Sequence, residues 1–198
     1  MITKIAQYFT RQMLKKELIS SEDAEIYLFG LERMAEGAVS LLSILIVACL
    51  SGQVPEMVIF LIAFKTLREY AGGYHATTRF RCYFMTMGMI ITVLSIEKYF
   101  IINSYVVLGI WLVCGIILFC LAPIEAENKP LEKEEKILYG KKAKFIWCVQ
   151  TICLVIGIYI QCRIVYENLA LANICVAAAL VTEKWKLEII KRINRTTV

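Results

Sequence analysis

Y-F-I-I-N-S-Y-V-V-L-G-I-W-L-V-C-G-I-I-L-F-C-L-A-P-I, residues 99–124, contains no charged side chain. A helix rises about 1.5 Å per residue, so this run is long enough to cross about 30 Å of hydrocarbon. Apart from Asn103 and Ser104 near its start it is overwhelmingly apolar, and Pro123 closes it. The rest of the chain repeats the theme. Of its 198 residues 59% are hydrophobic, and the mean hydropathy is +0.65. Values that high point to a bilayer as the solvent.

Upstream of residue 99, Glu97-Lys98 makes a brief polar turn that ends an apolar segment over 83–96. Residues 57–67 form a shorter segment, carrying only Lys65 near its far end. Lys65 can snorkel from there. A charge-free run over 37–55 precedes it, with Gly52 and Pro55 marking a tight turn. Downstream, 125–144 is a polar loop, 145–162 is apolar, Arg163 and Glu167 bracket a short turn, and 168–182 is apolar again.

Both ends are amphipathic. Ile2, Ile5, Phe9 and Met13 recur at helical spacing opposite Lys4, Arg11 and Lys15, the pattern of a helix lying in the membrane interface. The tail from Glu183 is basic, with Trp185, Leu187, Ile189 and Ile190 interleaved. Ser20-Ser21-Glu22-Asp23 resembles a capping box that starts the helix after it. The expected fold is all-α and polytopic: about six transmembrane helices plus N-terminal and C-terminal interfacial helices, in one membrane-embedded domain over 1–198. The first 20 residues lack an apolar core, so no cleavable signal peptide is expected.

Charge sets the expected orientation. The net charge is +5. Of the 22 Lys and Arg residues, only Lys98 and Arg163 fall on the side opposite the termini. Basic loops stay cytoplasmic, so the termini, residues 65–82 and the long loop are expected inside. The positive charge therefore reads as topology, not as nucleic-acid binding.

Seven of the eight cysteines lie within apolar stretches, where cysteine acts as a small hydrophobe. One histidine and no C-x-x-C spacing argue against zinc. Cys82 differs. It ends the stretch R-E-Y-A-G-G-Y-H-A-T-T-R-F-R-C, residues 68–82, which holds the lone histidine, His75. A cysteine and a histidine in a cationic segment suit a thiolate nucleophile and its base. The alternative is a basic loop in which neither does chemistry. On one straight helix the two would stand about 10.5 Å apart, so a working pair requires a backbone break. Gly72-Gly73 supplies a break, and Thr77 or Thr78 can cap a new helix. With Thr78 as cap, Cys82 falls in the first turns, where a helix N-terminus and nearby arginines favour the thiolate.

These residues resemble the accessory gene regulator B (AgrB) family, bacterial membrane cysteine endopeptidases that process quorum-sensing propeptides. The resemblance rests on Arg68, Ala71-Gly72-Gly73, His75-Ala76 and Cys82. Ala122-Pro123 with Asn128-Lys129-Pro130 adds a weaker match, and the length and span pattern agree over nearly the whole chain. It implies that Cys82 attacks a carbonyl near the C-terminus of an AgrD-like propeptide, with His75 as base and then acid. The resulting thioester closes into a thiolactone or lactone. It also implies a multi-pass protein of the bacterial cell membrane, in contact with lipid, a homodimer, and no cofactor.

Supporting roles are open at this level. Gly72 and Gly73 either shape the backbone or admit close helix packing. Arg68 either binds an acidic propeptide tail, fixes the motif through a carboxylate, or serves orientation. Glu69 either orients His75 or is solvated. Arg79 and Lys129 either bind the acidic tail or act as topological charges. Competing functions are another membrane thiol enzyme, such as an acyltransferase or a different protease, and a non-enzymatic transporter or scaffold. The last requires ionisable groups deep within the spans, and almost none are found there.

Overall fold

The computed structural model describes residues 2–74, 78–125 and 132–196, with the side chains of 2, 79 and 193–196 excepted. His75 and Lys129 therefore lie outside the described residues. Seven helices and no strands are found among them: α1 (Ile2–Lys15), α2 (Ala24–Ser51), α3 (Val54–Ala71), α4 (Arg79–Tyr99), α5 (Ser104–Leu121), α6 (Lys133–Tyr159) and α7 (Arg163–Thr196). Residues 1–50 and 51–198 form two compact units.

In the first unit, α1 leaves Ile5, Tyr8 and Phe9 uncovered, as an interfacial helix requires. A turn over 21–23, closed by Ser20 and Asp23, leads into α2. Ser20 Oγ accepts from the Asp23 backbone N–H at 3.2 Å, and its hydroxyl reaches Asp23 Oδ2 at 2.7 Å.

In the second unit, α7 is the central post. Helices α3, α5 and α6 pack on it, α3 also packs on α6, and α4 touches it lightly. More than half of the α7 span is buried, against less than a third of any other candidate span. The inner contact joins Leu67 and Ala71 of α3, Leu118 of α5, Ala143 of α6, and Val176 and Leu180 of α7. Large apolar side chains point outward instead: Leu112, Ile116, Ile152 and Val155 are all exposed. In water such a surface would aggregate; in lipid it is the outer face.

Five helices are long and apolar enough to cross a membrane: α2, α4, α5, α6 and α7. The protein is thus an all-α, multi-pass membrane protein. The sixth expected span is α3. It is 18 residues long but carries Glu56, Lys65, Arg68 and Glu69. Its apolar residues Met57, Phe60, Ala63, Leu67 and Ala71 recur at helical spacing and are all buried. Contacts at its two ends give it the height of its neighbours. Near its start, Gln53 donates to the Leu94 carbonyl late in α4; after its end, Ile124 N–H donates to the Ala71 carbonyl. Protein covers the apolar face of α3, while Lys65 and Glu69 stay exposed. Gln150 of α6 reinforces this by donating to the Ala63 carbonyl at 2.9 Å.

The C-terminal tail is not a separate helix. α7 continues without interruption from Arg163 to Thr196. No Gly or Pro interrupts it, and Glu183 pairs with Lys186 one turn on, at 3.7 Å. At the opposite end, the short polar turns are tied together. Arg163 holds Glu167 at 2.8 Å and donates to the Glu97 carbonyl, while Glu167 accepts from Ile102 N–H at 3.1 Å. Asn168 donates to Glu97. These bonds lock the α4–α5 connection onto the start of α7.

Candidate active site

The site forms where α3 stops. Gly72 follows at φ 74°, then Gly73 at φ 119°, both in the region that favours glycine. The two glycines are needed for room as well as for angle. A Cβ on Gly72 would overlap the backbone carbonyl of Ile124, with which Gly72 makes an isolated parallel bridge. A Cβ on Gly73 would stand 2.7 Å from Arg68 Nη1 and 3.1 Å from the Ala179 carbonyl. Both of the open roles for these glycines therefore apply: left-handed backbone and close packing.

Three tethers fix the segment that leaves α3. Ile124 N–H donates to the Ala71 carbonyl at 3.1 Å, and Tyr74 N–H donates to the Ala179 carbonyl of α7 at 3.0 Å. Arg68 reaches forward from the last turn of α3 to donate to the Gly72 and Tyr74 carbonyls. The guanidinium thus holds the motif through backbone oxygens, a contact that none of the three roles left open by the sequence included. Arg68 is half-buried, with Glu183 and Cys82 nearby. Glu183 is only 1% exposed.

The weaker sequence match at Ala122-Pro123 belongs to the same place. Pro123 rests on α6, where a Cβ on Gly140 would come 3.2 Å from its ring. The Ala122–Pro123 peptide bond is cis.

From Thr78 onward the chain re-enters helix as expected. Thr78 is the N-cap of α4, its side chain accepting from Arg81 N–H at 3.3 Å. Cys82 N–H closes the first turn onto the Thr78 carbonyl at 3.1 Å, and Thr86 Oγ bonds the Cys82 carbonyl. Cys82 is exposed and free, as are Cys49, Cys120, Cys148 and Cys153. What sets Cys82 apart is position. It stands at the polar start of α4 and lines a cleft of about 390 Å³. Arg68 and Tyr74 form the lip beside it; Met85, Met89, Phe64 and Cys175 line the interior.

Glu69 is exposed near the end of α3. The Arg79 side chain, His75 and Lys129 lie outside what is described. The structure adds residues that the motif did not announce: Tyr74, Ile124, Ala179 and Glu183.

An all-α, multi-pass membrane protein with an exposed, free cysteine lining a cleft between α3, α4 and α7 defines the class. The accessory gene regulator B (AgrB) family model matches residues 2–189, and the chain belongs to that family. Its place is therefore in the accessory gene regulator system. It is 26% identical over 178 residues to an AgrB-like protein of Clostridium perfringens strain SM101, covering 85% of this chain and 80% of that protein. A second AgrB-like protein, from C. perfringens strain 13, is 26% identical over 151 residues, covering 72% of this chain and 70% of its own length. No solved structure matches.

Proposed function

We propose that this chain is a membrane cysteine endopeptidase and cyclase acting on an AgrD-like propeptide. The observation that carries the reading is Cys82, exposed on the first turn of α4, sharing a cleft with the clamp that Arg68 places on the Gly72–Tyr74 segment. His75 follows that segment directly in sequence. In the reaction, His75 takes the Cys82 proton and Sγ attacks the scissile carbonyl carbon. The peptide C–N bond breaks, and the C-terminal tail leaves as an amine carrying that proton. The acyl part stays on Cys82 as a thioester. A thiol or hydroxyl within the propeptide then attacks the thioester. The ring closes, and its proton returns to the Cys82 sulfur. Exchange of thioester for thiolactone is nearly isoenergetic, so closure depends on positioning and on keeping water out.

Acid-quenched enzyme incubated with its propeptide should carry a mass on Cys82 equal to the propeptide less its tail. Hydroxylamine should remove that mass. A propeptide lacking its ring-forming thiol or hydroxyl should still lose its tail, while the adduct accumulates or hydrolyses. A linear carboxylate as the only product, with no adduct at any time, would rule the mechanism out.

The proposed orientation places the cleft mouth on the cytoplasmic side, and the proposed assembly is a homodimer with one Cys82 in each protomer. In intact cells an impermeant thiol reagent should label Lys98→Cys and leave Lys141→Cys unlabelled until the inner face is opened. The reverse pattern would put the site outside.

A further inference from the structure

A second hollow lies away from the thiol, on the outer side of α5 and α6. It measures about 300 Å³ and is lined by Leu112, Gly115, Ile116, Phe119 and Cys120 of α5 and by Trp147 of α6. From Leu112 to Cys120 the helix rises about 12 Å, close to the roughly 15 Å of hydrocarbon in one leaflet. Gly115 makes room for the floor. A Cβ there would stand 2.4 Å from the Trp147 ring, so the indole takes the space of a side chain. Trp111 stacks on that indole at 5.6 Å, and Phe119 meets it at 5.3 Å and near a right angle. Held on both sides, the ring does not swing out to fill the groove.

One end of the groove carries charge. Lys144, one turn before Trp147 on α6, holds its ammonium 5.4 Å from the centre of the Phe119 ring. Phe119 lies two residues before the end of α5, so this ammonium stands where the helix leaves the hydrocarbon. Lys144 is exposed and makes no ion pair among the described residues. Its neighbour Lys142 turns the other way, over Tyr70 of α3. No acidic residue lines the groove, and residues 99–124 and 145–162 carry no charge at all.

We infer that this groove is a site for an anionic phospholipid. The phosphate sits on Lys144, and one acyl chain runs past Gly115 and Ile116 toward Leu112. The ammonium selects the headgroup through a charge-assisted bond, and the apolar groove holds the chain. A second copy of the chain is the poorer occupant on grounds of symmetry. A two-fold axis along the membrane normal would set the second Lys144 at the same height as the first. Neither α5 nor the stretch 145–162 of α6 has a carboxylate to offset that repulsion. The site is independent of the chemistry at Cys82.

The test places full-length protein carrying Trp185→Phe in phosphatidylcholine nanodiscs. A small, equal fraction of lipid brominated on its chains is added, either phosphatidylglycerol or phosphatidylcholine. Bromine quenches an indole at short range, and Trp147 is part of the groove wall. Trp147→Phe in the same background gives the signal of the buried Trp111, which is subtracted. The expected relative affinity is about fivefold in favour of phosphatidylglycerol at low salt. Added salt should reduce it by screening the exposed ammonium. Lys144→Gln should remove the preference, and Lys144→Arg should keep it. Lys191→Gln, which removes an exposed cation from the basic tail, should leave it unchanged.

Equal quenching by the two lipids in the parent would overturn the site, as would loss of the preference in Lys144→Arg, which keeps the charge. A preference that survives Lys144→Gln, or that Lys191→Gln reduces equally, would also overturn it, since the diffuse positive field of the protein would then be its source. Absence of quenching by either lipid, with rapid disulfide formation between copies through Cys120, would put a second copy in the groove instead.

Discussion

Propeptide cleavage should fall by roughly 10⁴- to 10⁶-fold when Cys82 is replaced by alanine or serine, the range seen when a protease loses its nucleophile. Membrane insertion and helix content should not change. Cys82 sits on the exposed first turn of α4 and makes its structural hydrogen bonds through its backbone alone. Removing the sulfur therefore deletes a reactive atom and little packing. Replacing the other seven cysteines together should cost far less. Cys49, Cys120, Cys148 and Cys153 are exposed on helices, and none of the eight is in a disulfide. The comparison is made by cleavage assay on purified variants at matched concentration. Normal cleavage by Cys82→Ala would end the cysteine-protease proposal. Equal loss from the seven-cysteine replacement would move the nucleophile elsewhere.

Gly72→Ala should cost about 100-fold in processing, the penalty expected when a catalytic group is displaced by about 1 Å. Two effects act together. A side chain at φ 74°, ψ −153° falls in a region essentially reserved for glycine and is strained by about 1–3 kcal/mol. The new Cβ also overlaps the Ile124 carbonyl, which is backbone and cannot rotate away. Relief requires the α3 exit segment to part from residues 122–124, which disturbs the approach to His75. The helices themselves are not involved, so circular dichroism and yield in the membrane should stay near those of the parent. Gly88→Ala is the matched control. It lies within α4 with open space around it, and alanine there should be neutral or stabilising by about 0.5–1 kcal/mol. Full activity in Gly72→Ala would show that the joint at Ile124 plays no part in the reaction.

The break at Gly72-Gly73, the cap at Thr78 and the position of Cys82 at the start of a helix were legible because they are local. Each depends on residues within four positions of one another and on rules of backbone angle and capping that hold in any solvent. The clamp was not legible. Arg68 offered several partners on paper, and its choice of the Gly72 and Tyr74 carbonyls depends on the path of a segment that Ile124 and Ala179 hold from far along the chain.

The apolar runs, their lengths and the lopsided distribution of Lys and Arg determined by themselves that the chain is a helical membrane protein with a polar motif at one face. Those properties follow from burying backbone in hydrocarbon, which requires nothing of the neighbouring helices. Which helix stands in the centre was decided only in three dimensions. Lipid tails are as apolar as leucine, so a transmembrane helix need not show a polar side away from its partners. Nothing in the pattern of 168–182 marks α7 as the post on which α3, α5 and α6 pack. The same blindness hid the cleft, because it is a space between helices and depends on how loosely α4 meets α7.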